Sequence, residues 1–124
     1  MLSKRYVSKT VFLSLIVSAS LSAEMISLKE MANRWKGKAR TAATEGKWAE
    51  AEPLLKKALL AAPMDRDAIH LHAYVLFKTE QYPAAAGKYH ELLLKQPDSF
   101  ATNFHLGQCL YQMKFYALSV QAFE

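Results

Sequence analysis

Apolar residues recur along most of this chain at three- and four-residue steps, the spacing of one face of a helix, and the arrangement returns every 34 residues. Ser27 and Glu30 stand as a capping box (S-L-K-E), with Ile26 and Met31 placed as the apolar pair of a hydrophobic staple. They predict a helix beginning there and reaching Thr44 or Glu45, where Gly46 breaks it. A second helix follows from Lys47-Trp48 to Ala61, and Pro63 stops it, because proline lacks the amide donor and disfavours helix in the residue before it. Asp65 is positioned as the N-cap of a third helix running to about Thr79. Tyr82 and Pro83 open a fourth, with proline in the first turn where it is tolerated, and Pro97 closes it. Ser99 caps a fifth, and a sixth begins near Tyr116. Pro53 falls past the first turn of the second helix and is expected to kink it or loosen its start.

The period is carried by several columns at once. Trp48, Tyr82 and Tyr116 are spaced by 34, as are Pro63 and Pro97, and the caps Asp65 and Ser99. Ala51, Ala85 and Ser119 form a column of small residues; Ala39, Ala73 and Gly107 form another. Leu55, Tyr89 and Phe123 form a column of large ones. The small columns let two helices approach closely, while Trp35, Trp48, Leu55 and Leu59 fill the space around the contact. Each period therefore encodes one helix–turn–helix unit that buries its apolar face against the next.

This pattern resembles the tetratricopeptide repeat, whose signature runs W-x2-L-G-x2-Y, then A-x3-F, then P. Trp35 fills the tryptophan slot, followed one period later by Ile69 and then Asn103. Lys38-Ala39, His72-Ala73 and Leu106-Gly107 occupy the Leu-Gly slot, intact only in the third unit, and Ala42, Leu76 and Leu110 the tyrosine slot. The A-x3-F slot holds Ala51/Leu55, Ala85/Tyr89 and Ser119/Phe123. The resemblance covers residues 32–124 and implies an all-α, right-handed α-solenoid. Its units are 32–65, 66–99 and a truncated third at 100–124. The last helix ends about two and a half turns in, so Val120 and Phe123 are expected to meet further chain, a partner or a second copy.

The N-terminal segment is of another kind. Lys4, Arg5 and Lys9 precede an uncharged run from Thr10 to Ala23, and no acid occurs before Glu24. A basic head, an apolar core and small residues at Ala19 and Ala23 have the order of a secretory signal peptide. The run is 14 residues, short for a bilayer-spanning helix of ~20. Residues 1–23 are thus expected to be a signal peptide, or a membrane anchor if uncleaved, with the repeat domain at 24–124. Cleavage after Ala23 or Ala19 would place the domain in a periplasm or outside the cell, as an exported bacterial protein. An uncleaved segment would hold it at the inner membrane with the domain outside the cytoplasm. Charge follows the same division. The whole chain carries 16 Lys+Arg against 11 Asp+Glu, and three of those cations lie before residue 10, so the remainder is nearly balanced and gives no nucleic-acid signal.

Six Phe, six Tyr and two Trp are too many for a disordered chain, and scarce glycine and proline disfavour turn-rich β folds. One cysteine supports neither a disulfide framework nor a multi-thiolate zinc site. Cys109 falls beside Leu106, Leu110 and Met113 and reads as a small buried hydrophobe. His70 and His72, two apart, point to nearly opposite sides of one helix, with His90 and His105 on other helices. No metal-ligand spacing, catalytic triad, P-loop or dinucleotide fingerprint is present. No cofactor, metal or catalytic residue is expected, and the chain reads as a non-enzyme.

Function must then reside in a surface, and here the resemblance supplies the expectation. In this family the first helix of each unit lines a concave groove that receives a peptide or a partner helix. The matching positions include Lys36, Arg40, His70, Tyr74, Phe77, Lys78, Phe104, His105, Gln108 and Tyr111, a groove basic at one end and aromatic through the middle. The family's clamp for a chaperone's C-terminal carboxylate maps to Lys36, Arg40, Leu71, Ala101 and His105, and only Lys36 agrees, which excludes that ligand. The expected role is an exported adaptor or scaffold for a protein or peptide of the cell envelope. Two alternatives stand beside it: the recognition arm of a longer enzyme or secretion component, and a self-assembling structural repeat.

Overall fold

Five α-helices follow one another in the computed structural model, which describes the backbone over residues 2–113 and side chains over residues 20–113. They are α1 (Leu2–Thr44), α2 (Trp48–Ala61), α3 (Arg66–Lys78), α4 (Tyr82–Lys95) and α5 (Phe100–Gln112), with no strand among the described residues. Each helix packs on its predecessor and on its successor through three- or four-residue turns, giving the antiparallel array of an all-α solenoid. The caps read from sequence are made. Asp65 Oδ1 accepts from the Ala68 amide at 3.3 Å, and Ser99 Oγ from the Thr102 amide at 3.3 Å. The sixth helix, Val120 and Phe123 lie outside the described residues.

Two local expectations are corrected. No helix begins at Ser27: α1 runs unbroken through it, and Ile26 and Met31 are both exposed rather than stapled. From Leu2 to Thr44 the chain holds no proline and only one glycine, Gly37, so nothing ejects the backbone from the helix and a cap has no free amides to satisfy. Of the two effects expected of Pro53, the loosened start of α2 is not found. The first-turn bonds from the Glu50 and Ala51 amides to Lys47 O are 3.2 and 3.1 Å, and the proline ring sits on an exposed face of an otherwise continuous helix.

The turn after the first helix of a unit is built the same way twice. Gly46 has φ 74° and Glu80, one period later, has φ 63°. In the first turn the Lys47 amide reaches back to Ala42 O at 2.8 Å; in the second the Gln81 amide reaches Leu76 O at 2.8 Å. This is a Schellman-type closure, which requires one residue in the left-handed region. Glycine suits it; glutamate is held there against its steric preference.

Packing follows the columns. Ala39, Ala51, Ala73 and Ala85 are fully buried, as is Leu55, and Tyr89 is the largest fully buried side chain. One apolar cluster joins Ala39, Ala42, Ala43, Ala51, Leu55 and Val75; the other joins Ile69, Ala73, Leu76, Ala85, Tyr89, Leu92 and Cys109. Helix α3 contributes to both and welds the repeats together. Cys109 is fully buried, and that burial pushes its thiol up to about 11, as expected of a packing residue.

The turn geometry makes a checkable pair. Glu80→Gly should raise stability by about 1 kcal/mol by removing left-handed strain. Gly46→Ala should lower it by a similar amount, although a Cβ at Gly46 meets nothing within 4 Å. Urea unfolding midpoints for the two variants, moving in opposite directions, are the expected result.

Candidate functional site

The first helices of the units, α1, α3 and α5, place their side chains along one face of the array. Arg40 from α1, Asp67, His70, Leu71 and Tyr74 from α3, and His105 from α5 line a cavity of about 380 Å³. A second of about 380 Å³ shares Arg40, Leu71 and Tyr74 and continues over Ala43 and Thr44 to Gly46 and Trp48. Together they make a continuous trough from the first turn to the third unit. Its floor is apolar and aromatic. Trp48 and Tyr74 meet edge to face at 5.8 Å, and Lys78 Nζ stands 5.5 Å from the centre of the Tyr74 ring.

Toward the third unit the floor becomes a ring cluster. His105 stacks on Tyr89 at 5.4 Å and 17°, and His70 meets both edge to face at 5.7 Å. Burial pushes the His70 imidazole below its ordinary value, and a charge on His105 would push it further, while Asp67 pulls the other way. His105 Nδ1 lies 3.2 Å from Gln108 Oε1. Arg40 is exposed and makes no salt bridge among the described residues, so its guanidinium faces the trough with its fork of donors open.

The residues named from sequence divide three ways. Arg40, His70, Tyr74 and His105 converge on the trough, and Lys78 stands over the Tyr74 ring at its floor. Phe77, Phe104, Gln108 and Tyr111 line a separate hollow of about 330 Å³, with Phe77 also packed edge to face on Tyr82 at 5.4 Å. Lys36 goes elsewhere. Its Nζ is 2.8 Å from Asp65 Oδ2, both side chains being four-fifths covered. Although burial pushes the Asp65 carboxyl up, the Lys36 hydrogen bond and the Ala68 amide outweigh it and hold the carboxyl below its usual value. Lys36 thus braces α1 against the turn before α3, and Arg40 alone remains of the basic pair expected in the groove.

Four trough residues, Ala43, Gly46, Trp48 and Asp67, are not among those expected from sequence, and two of them change its character. Trp48 begins a second helix of a unit, and the repeat pattern assigns the groove to first helices. Asp67 puts an acid beside Arg40 and His70, so this end is mixed in charge rather than basic. The period itself could have flagged Trp48, since it keeps an aromatic at that column. Among the described residues no three His, Cys, Asp or Glu side chains gather as a metal-ligand set.

A family model described as "Anaphase-promoting complex, cyclosome, subunit 3" matches residues 44–124, 81 of the 124. Among solved structures, the TPR domain of Sgt2 from Aspergillus fumigatus matches with a TM-score of 0.66 at 20% identity, over 73% of this chain and 60% of that one. The chain thus spans less than two-thirds of that domain's length, and the likeness is one of fold: tetratricopeptide helical repeats. No curated protein matches.

His72 offers a test of what the surrounding core imposes. It is 6% exposed, and neither ring nitrogen has a hydrogen-bond partner among the described residues. Burial, reinforced by Lys88 and opposed by Glu52, lowers its folded value below that of the unfolded chain. Between those values the unfolded chain binds more protons, so stability is full above the ordinary histidine value of about 6.5 and falls as pH drops through it. His72→Leu should therefore stabilise the fold by about 1 kcal/mol at pH 8 and by more at pH 5.5. Urea titrations at both pH values check this; the residual slope belongs in part to His70.

Proposed function

The chain belongs to the anaphase-promoting complex, cyclosome, subunit 3 family, and on that premise we propose that it is a non-enzymatic protein-binding module whose trough receives an extended peptide or a helix from another protein. The family description names a subunit of a multiprotein assembly, which supports an interaction role. The observation that carries the reading is the convergence of Arg40, Leu71 and Tyr74, from two successive first helices, on both cavities of one trough. A rigid aromatic beside an open guanidinium on an apolar floor is suited to anchoring a side chain and fixing its register with a carboxylate. The partner belongs to the cell envelope in this reading. The order of residues 1–23, basic then uncharged then small, supports export, and a cleaved chain would begin at Glu24 or Ser20.

Binding is tested by placing a photo-cross-linker at Leu71 and scoring capture of envelope proteins. Tyr74→Ala should reduce capture most, by about 2 kcal/mol of affinity for an anchoring aromatic. Arg40→Glu should reduce both affinity and its salt dependence. Equal capture in both variants, with circular dichroism unchanged, would move the site off this trough. Export is tested by intact-mass measurement of protein from the periplasmic fraction, where a mature start at Glu24 or Ser20 is expected and an intact Met1 on a membrane-bound species would indicate the anchor.

A further inference from the structure

The two edges of the array are unlike. Because successive helices are antiparallel, the turns at residues 62–65 and 96–99 share one edge, and α1 enters from that same edge. Contacts along it confirm the adjacency: Lys36 with Asp65, Arg66 with Gln96, and Lys95 Nζ 3.6 Å from Met64 Sδ. Four large apolar side chains stand out on it, Leu60 at 83%, Met64 at 66%, Leu94 at 73% and Phe100 at 82% exposure. Leu60 and Leu94 are 34 apart, the same place in successive repeats, so the period that builds the core also builds this row. A row of this kind marks a contact surface rather than scattered surface leucines.

What meets it is indicated by the helix leaving the edge. Every residue from Ser20 to Met31 is exposed, and burial begins at Ala32. The projecting part carries Leu21, Met25, Ile26 and Leu28 toward the uncharged run at 10–23 and the basic head of Lys4, Arg5 and Lys9. From Glu24 to Met31 is eight residues, about 12 Å of helix, comparable with the thickness of a headgroup region plus the reach of a side chain. A second copy fits less well. Leu21, Met25 and Leu28 prolong the face of α1 whose Ala32 and Ala39 are buried against α2, so two α1 helices joined along it would each run into the other's α2.

We propose that in the uncleaved form of the chain this edge is a lipid-contacting surface: Leu60, Met64, Leu94 and Phe100 rest on the interfacial zone of a bilayer into which the uncharged N-terminal run inserts. Lys57, Arg66 and Lys95 are exposed on that side together with Asp67, Glu91 and Asp98, and Asp65 is neutralised by Lys36, so the apolar row and not a net charge holds the edge at the interface. No described helix is long and apolar enough to cross a membrane. In this proposal the edge is a second point of attachment beside the N-terminal segment. The trough lies on a side face of the array and stays open to a protein partner.

The test uses the full 124-residue chain and vesicles of phosphatidylcholine with or without phosphatidylglycerol. Cys109 is buried and its thiol is pushed up to about 11, so an environment-sensitive dye can be directed to Met64→Cys, or to Glu80→Cys in a turn on the opposite edge. With either kind of vesicle, the dye at 64 should shift to the blue and resist an aqueous quencher, and the dye at 80 should do neither. Replacing Leu60, Leu94 and Phe100 together by Ser should weaken vesicle partitioning at least tenfold with the thermal midpoint unchanged. Flotation without a shift at 64, equal shifts at both positions, or undiminished partitioning of the triple variant would overturn the proposal, because the N-terminal segment would then act alone. Failure to float at all would also overturn it, as would lipid-free dimers on light scattering that the triple variant abolishes.

Discussion

Close approach of helices at alanine is the constraint on which the rest of this structure depends. Ala39 and Ala51 bring α1 against α2, and Ala73 and Ala85 bring α3 against α4, all four without measurable exposure. With no side chain beyond Cβ between the axes, the large residues are displaced to the flanks of the contact. There Leu55 and Tyr89, four residues after the second alanine of each pair, close the wedge between neighbouring helices. A larger residue at any of these alanines would force the axes apart and lose contacts along both helices.

The trough is a consequence of that geometry. Pairing at small residues tilts each unit against the next and leaves the first helices side by side along one face, where their outward residues converge. The face is then furnished by residues with two duties. Tyr74 packs on Trp48 while presenting its ring to the cavities. His70 and His105 seal the top of Tyr89 while forming part of the trough floor. The surface of the trough is therefore preorganised by core packing, the condition under which binding loses least entropy. The ion pair of Lys36 with Asp65 adds a polar brace at the junction of the first two units, and its partial burial makes it stronger than the exposed pairs on α2 and α4.

The array also separates its surfaces by direction. Side chains pointing along the first-helix face build the trough, and those at the ends of α2 and α4 build the apolar edge. A 34-residue period displays both repeatedly, which is how a chain of this length offers two distinct surfaces around one modest core.

Element order, four of the five helix starts, both side-chain caps and the close-contact columns were legible in the sequence. They depend on local chemistry: proline and glycine stops, cap oxygens and a period repeated in several columns. The start of α1 is not legible from its capping box, because such a box stabilises a helix end only where the chain leaves the helix, and from Leu2 to Thr44 nothing makes it leave. What tertiary structure alone decided was the use of each polar side chain. Lys36 and Arg40 are one turn apart on α1 and indistinguishable by spacing, yet Lys36 meets Asp65 across the unit boundary and Arg40 does not. His70 and His72 are two residues apart on α3, and one lines the trough while the other lies in the core without a partner among the described residues. Spacing assigns a residue to a face of its own helix. Which neighbour that face meets depends on the packing of helices a whole period apart, and that is a property of the folded array.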